Sequence, residues 1–183
     1  MIKNYLKMFL IIFVVAAQAP LDLVIDTNER DIEIEPGISG TKIVLFGATP
    51  TGKRDIIIEV VGPPKNQTMQ EKKRFFGFWL GRGKSYYKNV PSYYNLLSSK
   101  PLEEITSQDG LNKLGLGIEH LPLGKADIKY STVKQSEFDQ RLRSEMFTNG
   151  QFFEKQGNIV LRSGPGKVGL FKTEFSLPPN SLQ

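Results

Sequence analysis

The chain has 183 residues, 39% of them apolar and 23% charged, with a formal net charge of +5. That length suits one domain with a real core, and the composition is too apolar for intrinsic disorder. No cysteine and only one histidine are present, which excludes thiol catalysis, thiolate zinc sites, disulfide frameworks and two-histidine metal centres.

Residues 1–17, MIKNYLKMFLIIFVVAA, begin with two bases, Lys3 and Lys7, and continue through an apolar run from Met8 to Ala17. A basic n-region, a short h-region and a small-residue exit are the layout of a secretory signal. The run is shorter than the roughly 20 residues a helix needs to span a bilayer. Cleavage after Ala17-Gln18-Ala19 would place Pro20 after the scissile bond, whereas Val15-Ala16-Ala17 leaves Gln18 as the new terminus, so cleavage after Ala17 fits better; a short uncleaved anchor is the alternative. The expected organisation is a signal helix over 1–17 and one extracytoplasmic domain over 18–183. Loss of Lys3 and Lys7 lowers the net charge to +3, which is unremarkable.

The next stretch reads as β structure. Asp31 to Glu35 alternates acids with Ile32 and Ile34, and Thr41 to Phe46 is apolar on both faces, as in a central strand. Asp55 to Val61 is β-branched and stops at Gly62-Pro63-Pro64. Lys73 to Leu80 and Ser85 to Lys88 are predicted to pair across a turn at Gly81-Arg82-Gly83. Charge is segregated: Asp22 to Glu35 holds six acids against Arg30, and Lys65 to Lys88 holds seven bases against Glu71.

From about 91 to 150 the pattern predicts a helical insertion. Pro101 suits the start of a helix over Leu102 to Ile105. Phe138, Leu142 and Met146 form one face of a helix over Glu137 to Phe147, with Ser136 as its cap and Asn149-Gly150 as its end. Strand texture returns at Asn158 to Arg162 and Val168 to Phe175. The fold class is therefore mainly β with an α insertion, an immunoglobulin-like β-sandwich behind a signal helix. With only three residues after Leu177-Pro178-Pro179-Asn180, the chain reads as lacking its C-terminal strands.

Several motifs invite chemistry and fail on inspection. Gly47-Ala48-Thr49-Pro50-Thr51-Gly52-Lys53 matches most of a phosphate-binding loop. However, Arg54 replaces the magnesium-holding hydroxyl, and a strand follows where a helix is required. Lys72-Lys73-Arg74-Phe75-Phe76-Gly77-Phe78-Trp79 partly echoes an RNA-stacking strand but lacks its glycine and companion motif. It reads as a core strand with aromatics inside and bases in water, or as a surface for an anionic partner, extended by Tyr86, Tyr87, Tyr93 and Tyr94. His120 has no nucleophile-elbow signature to serve. Glu103-Glu104 diverge on a helix and complement its dipole.

In chain order, a set of segments resembles a family of alphaproteobacterial proteins described as transmembrane and of unknown function. They are Leu45-Phe46-Gly47, Asp55 to Val61 with Gly62-Pro63, Lys72-Lys73-Arg74 with Gly77-Phe78-Trp79, Pro91-Ser92-Tyr93-Tyr94, Pro101-Leu102, Leu170-Phe171 and Leu177 to Asn180. The resemblance implies a signal, an extracytoplasmic domain and a C-terminal membrane helix, which this chain ends before reaching. It carries no catalytic residues.

The expected function is a non-enzymatic binding or scaffolding domain of the envelope, periplasmic or held at the inner membrane. Its partner would be an inner-membrane protein or an anionic envelope component. No cofactor, metal, nucleotide or nucleic acid is expected. The candidate surface comprises Lys72, Lys73, Arg74, Trp79, Arg82, Tyr93 and Tyr94. One alternative is a periplasmic enzyme or small-ligand carrier with a pocket between sandwich and insertion; another is a truncated, non-functional fragment.

Overall fold

The computed structural model describes residues 23–28, 41–49, 54–164 and 168–178. The signal segment, the alternating strand over 31–35 and most of the phosphate-loop mimic lie outside them. The fold is mainly β, with ten strands in three sheets and three helices among the described residues.

The first sheet has the order β1 (Val24–Thr27), β2 (Thr41–Thr49), β10 (Gly169–Leu177), β9 (Val160–Ser163), all antiparallel. The predicted central strand at 41–46 is thus flanked on both sides, by β1 and β10. The second sheet is β3 (Ile57–Val61), β6 (Tyr94–Ser98) and β8 (Phe152–Lys155), with β6 antiparallel to β3 and parallel to β8. The third is β4 (Pro64–Phe75), β5 (Phe78–Pro91) and β7 (Asp127–Lys129).

Two apolar cores lie on opposite faces of β6. Ile43 of β2 and Phe171, Phe175 and Leu177 of β10 meet Leu97 of β6, joined by Ile58, Val60 and Phe153, so the first two sheets face each other. Tyr94 and Leu96 point the other way. They join Phe152, Met69, Tyr87 and Val90 beneath the helices. Alternation along one extended strand produces this division, because successive side chains leave opposite faces.

The helical layer contains α1 (Leu102–Ile105), α2 (Gln108–Leu114) and α3 (Gln135–Thr148). In α3 the predicted stripe of Phe138, Leu142 and Met146 is buried, but the cap is Lys134, and Ser136 lies inside the first turn. For α2, Ser107 accepts from Gly110 N at 3.2 Å and Gly115 closes the last turn in the left-handed conformation. The span 91–150 is therefore more than a helical insertion, since it also supplies β6 and β7.

Candidate partner-binding arm

β3 and β6 do not end the ladder they begin. Gly62 N donates to Tyr93 O at 2.8 Å and Ser92 N to Pro63 O at 2.9 Å, so the pairing runs on from β3–β6 into β4–β5. A Cβ at Gly62 would lie 2.8 Å from Ser92 Oγ and 2.9 Å from Tyr93 Cβ, and only glycine permits that close crossing. The result is a ribbon whose β4 strand alone, at about 3.3 Å per residue, reaches roughly 40 Å. Its inner half is covered: Met69, Tyr87 and Val90 enter the helical core, and β7 pairs with Lys84, Ser85 and Tyr86.

The ribbon leaves this cover at Glu71. That carboxylate is buried and accepts from Ser131 Oγ at 2.6 Å, while Ser131 Oγ accepts from Val133 N at 3.0 Å. Here the register shifts: Glu71 pairs with Gly83, Lys72 with Gly81, and Arg82 is the extra residue of a bulge. The sequence reading placed the turn at Gly81-Arg82-Gly83. Instead these glycines lie within β5, where a Cβ at Gly81 would come within 2.0 Å of Gln70 Nε2 and one at Gly83 within 2.4 Å of Ser131 Cβ. The turn is Phe76-Gly77, with φ of 47° and 86°.

Beyond the bulge the arm carries Lys72, Lys73, Arg74 and Arg82 and no acid. Lys72 and Arg74 are exposed, and Arg74 is the register partner of Trp79, as Lys73 is of Leu80. Nearer the body, Lys84 stands opposite Lys129, a like-charge pair. It is moderated by Asp127, 3.4 Å from Lys129 Nζ, and by the Tyr86 ring, 5.6 Å beneath the same ammonium. The three strands hold only Glu71 and Asp127 as acids, so the exposed face is basic.

Two expectations are corrected. Tyr93 and Tyr94 do not extend this surface: both are buried, one in each core, because their hydroxyls find partners inside. Phe76 and Phe78 are not core aromatics either, being 88% and 74% exposed. Sequence reasoning missed these two, although Phe-Gly between two alternating runs carried the signal of a two-residue turn. Lys84 and Lys129 were also missed.

The other candidates remain apart. His120 Nδ1 is 2.7 Å from Asn112 Oδ1, and Glu103 and Glu104 are exposed on α1. A groove of about 510 Å³ along β9 and β10 is lined by residues such as Arg162, Lys172 and Glu174, none of them a predicted site residue. Among the described residues no group of acidic or histidine side chains could hold a metal ion, and no helix is long and apolar enough to cross a membrane.

The described residues thus form a mainly β body with a basic arm that exposes Phe76 and Phe78. Residues 22–183 match the model of a family described as "Putative transmembrane protein", whose short name, Alph_Pro_TM, points to alphaproteobacteria. The chain belongs to this family. No curated protein and no solved structure matches it.

Proposed function

We propose that this protein is an exported envelope domain that binds or scaffolds a partner beside the inner membrane, without catalysis, and that the β4–β5 arm is its contact element. The reading rests on one observation: a ribbon continuous with the central strand pair projects a basic face and an exposed aromatic turn. A feature meant only for folding would bury those aromatics. The family's transmembrane description supports the membrane setting. In this reading the two facing sheets are an immunoglobulin-like body, and residues 1–17 deliver it across the inner membrane.

Photocrosslinking tests it. The full-length chain carrying a photoreactive phenylalanine analogue in place of Phe78 is expressed in a Gram-negative host and irradiated in cells. The expected result is an adduct in the envelope fraction. Protein confined to the cytoplasm, or exported protein without any adduct from position 78, would refute the reading.

A further inference from the structure

The turn at the end of the arm is built against local preference. Positive φ at both Phe76 and Gly77 is the pattern of a type I′ hairpin turn, whose first central position favours Asn, Asp or Gly. A bulky residue there is a backbone outlier, and such outliers cluster where function requires the side chain. Phe76 is 88% exposed, so burial within this chain offsets little of the strain. Phe78, 74% exposed, stands immediately after it.

We propose that the arm is a lipid-insertion finger: Phe76 and Phe78 enter the interfacial zone of an anionic bilayer while the bases behind them engage its phosphate headgroups. This rests on the envelope-binding reading and names the partner. At about 3.3 Å per residue, Arg74 lies roughly 7 Å behind Phe76 and Lys72 roughly 13 Å behind it. Interfacial apolar groups bed about 5–10 Å into the boundary between headgroups and acyl chains. With Phe76 at that depth, Arg74 reaches the phosphates and Lys72 the water side. The bulge matters too, because it follows buried Glu71, and beyond it Lys72, Arg74, Phe76 and Phe78 are exposed.

The shape favours lipid over protein. A stable protein interface takes about 800 Å² from each partner. The end of a two-stranded ribbon offers a point, with Phe76 and Phe78 exposed at the turn. A bilayer accepts a point, since it needs no complementary relief, and its negative surface attracts the flanking bases.

The test uses the full chain with vesicles of mixed phosphatidylglycerol and phosphatidylethanolamine, against vesicles of phosphatidylcholine alone. Trp79 is the sole tryptophan and pairs with Arg74, so its emission reports the finger. The expected results are a blue shift and quenching by brominated acyl chains on anionic vesicles, with partitioning at least ~10-fold stronger than on neutral ones. The double variant F76N/F78T keeps the fold, because Asn-Gly is the favoured type I′ pair. It should lose the tip-dependent part of partitioning, ~10-fold or more, with its melting temperature unchanged or raised. The variant retains residues 1–17 and the arm's bases, so the binding it keeps reports those, and only the difference from the wild type reports the two phenylalanines. Trp79 emission that ignores anionic vesicles, or a variant that partitions like the wild type, overturns the finger. Should the variant not fold, wild-type Trp79 quenching alone decides. Adducts from position 78 to a membrane protein, with no response to vesicles, would overturn the finger and leave the binding reading standing. Loss of both would overturn both.

Discussion

Tyr93 and Tyr94 are consecutive in the chain, yet their rings lie in different cores. Tyr93 Oη donates to Ser176 O at 3.1 Å and accepts from Asn95 Nδ2 at 2.9 Å. Tyr94 Oη donates to Glu59 Oε1 at 2.5 Å and accepts from Gly117 N at 3.0 Å. One step along the backbone therefore ties the start of β6 to β10 on one side, and to β3 and the loop after α2 on the other. Phe153 and Phe152 repeat the pattern on β8, their ring centroids each 5.9 Å from Tyr93 and Tyr94 respectively.

Because both cores are built on this one strand, they should unfold together. Leu96 belongs to the helical core and Leu97 to the core between the sheets, and both are fully buried. Truncating either leaves a cavity costing about 2–5 kcal/mol. Leu96→Ala and Leu97→Ala should each lower one common transition in urea, with far-ultraviolet and near-ultraviolet circular dichroism coincident. Two separated transitions, each sensitive to one substitution, would show that β6 does not couple the cores.

Alkali should expose the buried tyrosines. Tyr94 titrates above the ordinary tyrosine range, because burial opposes the phenolate and its proton is held on Glu59. Tyr87 is raised likewise, by burial and by its hydrogen bond to Asp139, and Tyr93 by burial. A folded-state pKa above the unfolded one means that the native state keeps protons the unfolded chain has lost. The stabilisation is then whole below about pH 10 and falls as pH rises beyond it, by about 1.4 kcal/mol per unit for each such group. Urea midpoints should thus be flat approaching pH 10 and fall steeply above it. Tyrosinate absorbance from these three residues should appear only with loss of the native dichroism. Tyr94→Phe should cost about 1–2 kcal/mol at neutral pH yet flatten the alkaline slope by about a third. An unchanged slope in that variant would count against the assignment.

Much of this fold was legible wherever one face of an element is wet. The α3 stripe of Phe138, Leu142 and Met146, the β10 alternation and the end of β3 at Gly62 all carry a period or a stop. β6 was not legible, because Tyr94 to Ser98 is buried on both faces and so has no alternation to read. The turn at Phe76-Gly77 was hidden for a chemical reason: phenylalanine contradicts what a type I′ turn prefers, while Gly81-Arg82-Gly83 imitates a turn and is a bulge. Tyr93 and Tyr94 misled because tyrosine suits interfaces and cores equally once its hydroxyl is satisfied. Lys72 and Arg74 are exposed, as bases facing water should be, whereas Phe76 and Phe78, read as core aromatics, are exposed too.

The loop between α2 and β7 has little regular structure, yet Leu121 and Leu123 are buried in the helical core. Its backbone is held from outside. Arg143 on α3 donates from Nε to Ile118 O at 2.8 Å and from Nη2 to Leu121 O at 2.9 Å, while Ile118 N donates to Glu154 Oε2 at 3.2 Å. A guanidinium fixes two carbonyls at once through a planar fork, which an ammonium cannot reproduce. Arg143→Lys should therefore cost about 1.5–3 kcal/mol, since one partly buried carbonyl loses its charged donor. At about 2–4 °C per kcal/mol for a chain of this size, the melting temperature should fall by roughly 3–12 °C. Hydrogen exchange separates a local effect from a global one. The amides of Ile118 and Leu121 should exchange faster than the loss of global stability explains, while those in the middle of α3 follow the global change. Equal acceleration at both places would mean that Arg143 stabilises the body as a whole and does not act as the clasp of this loop.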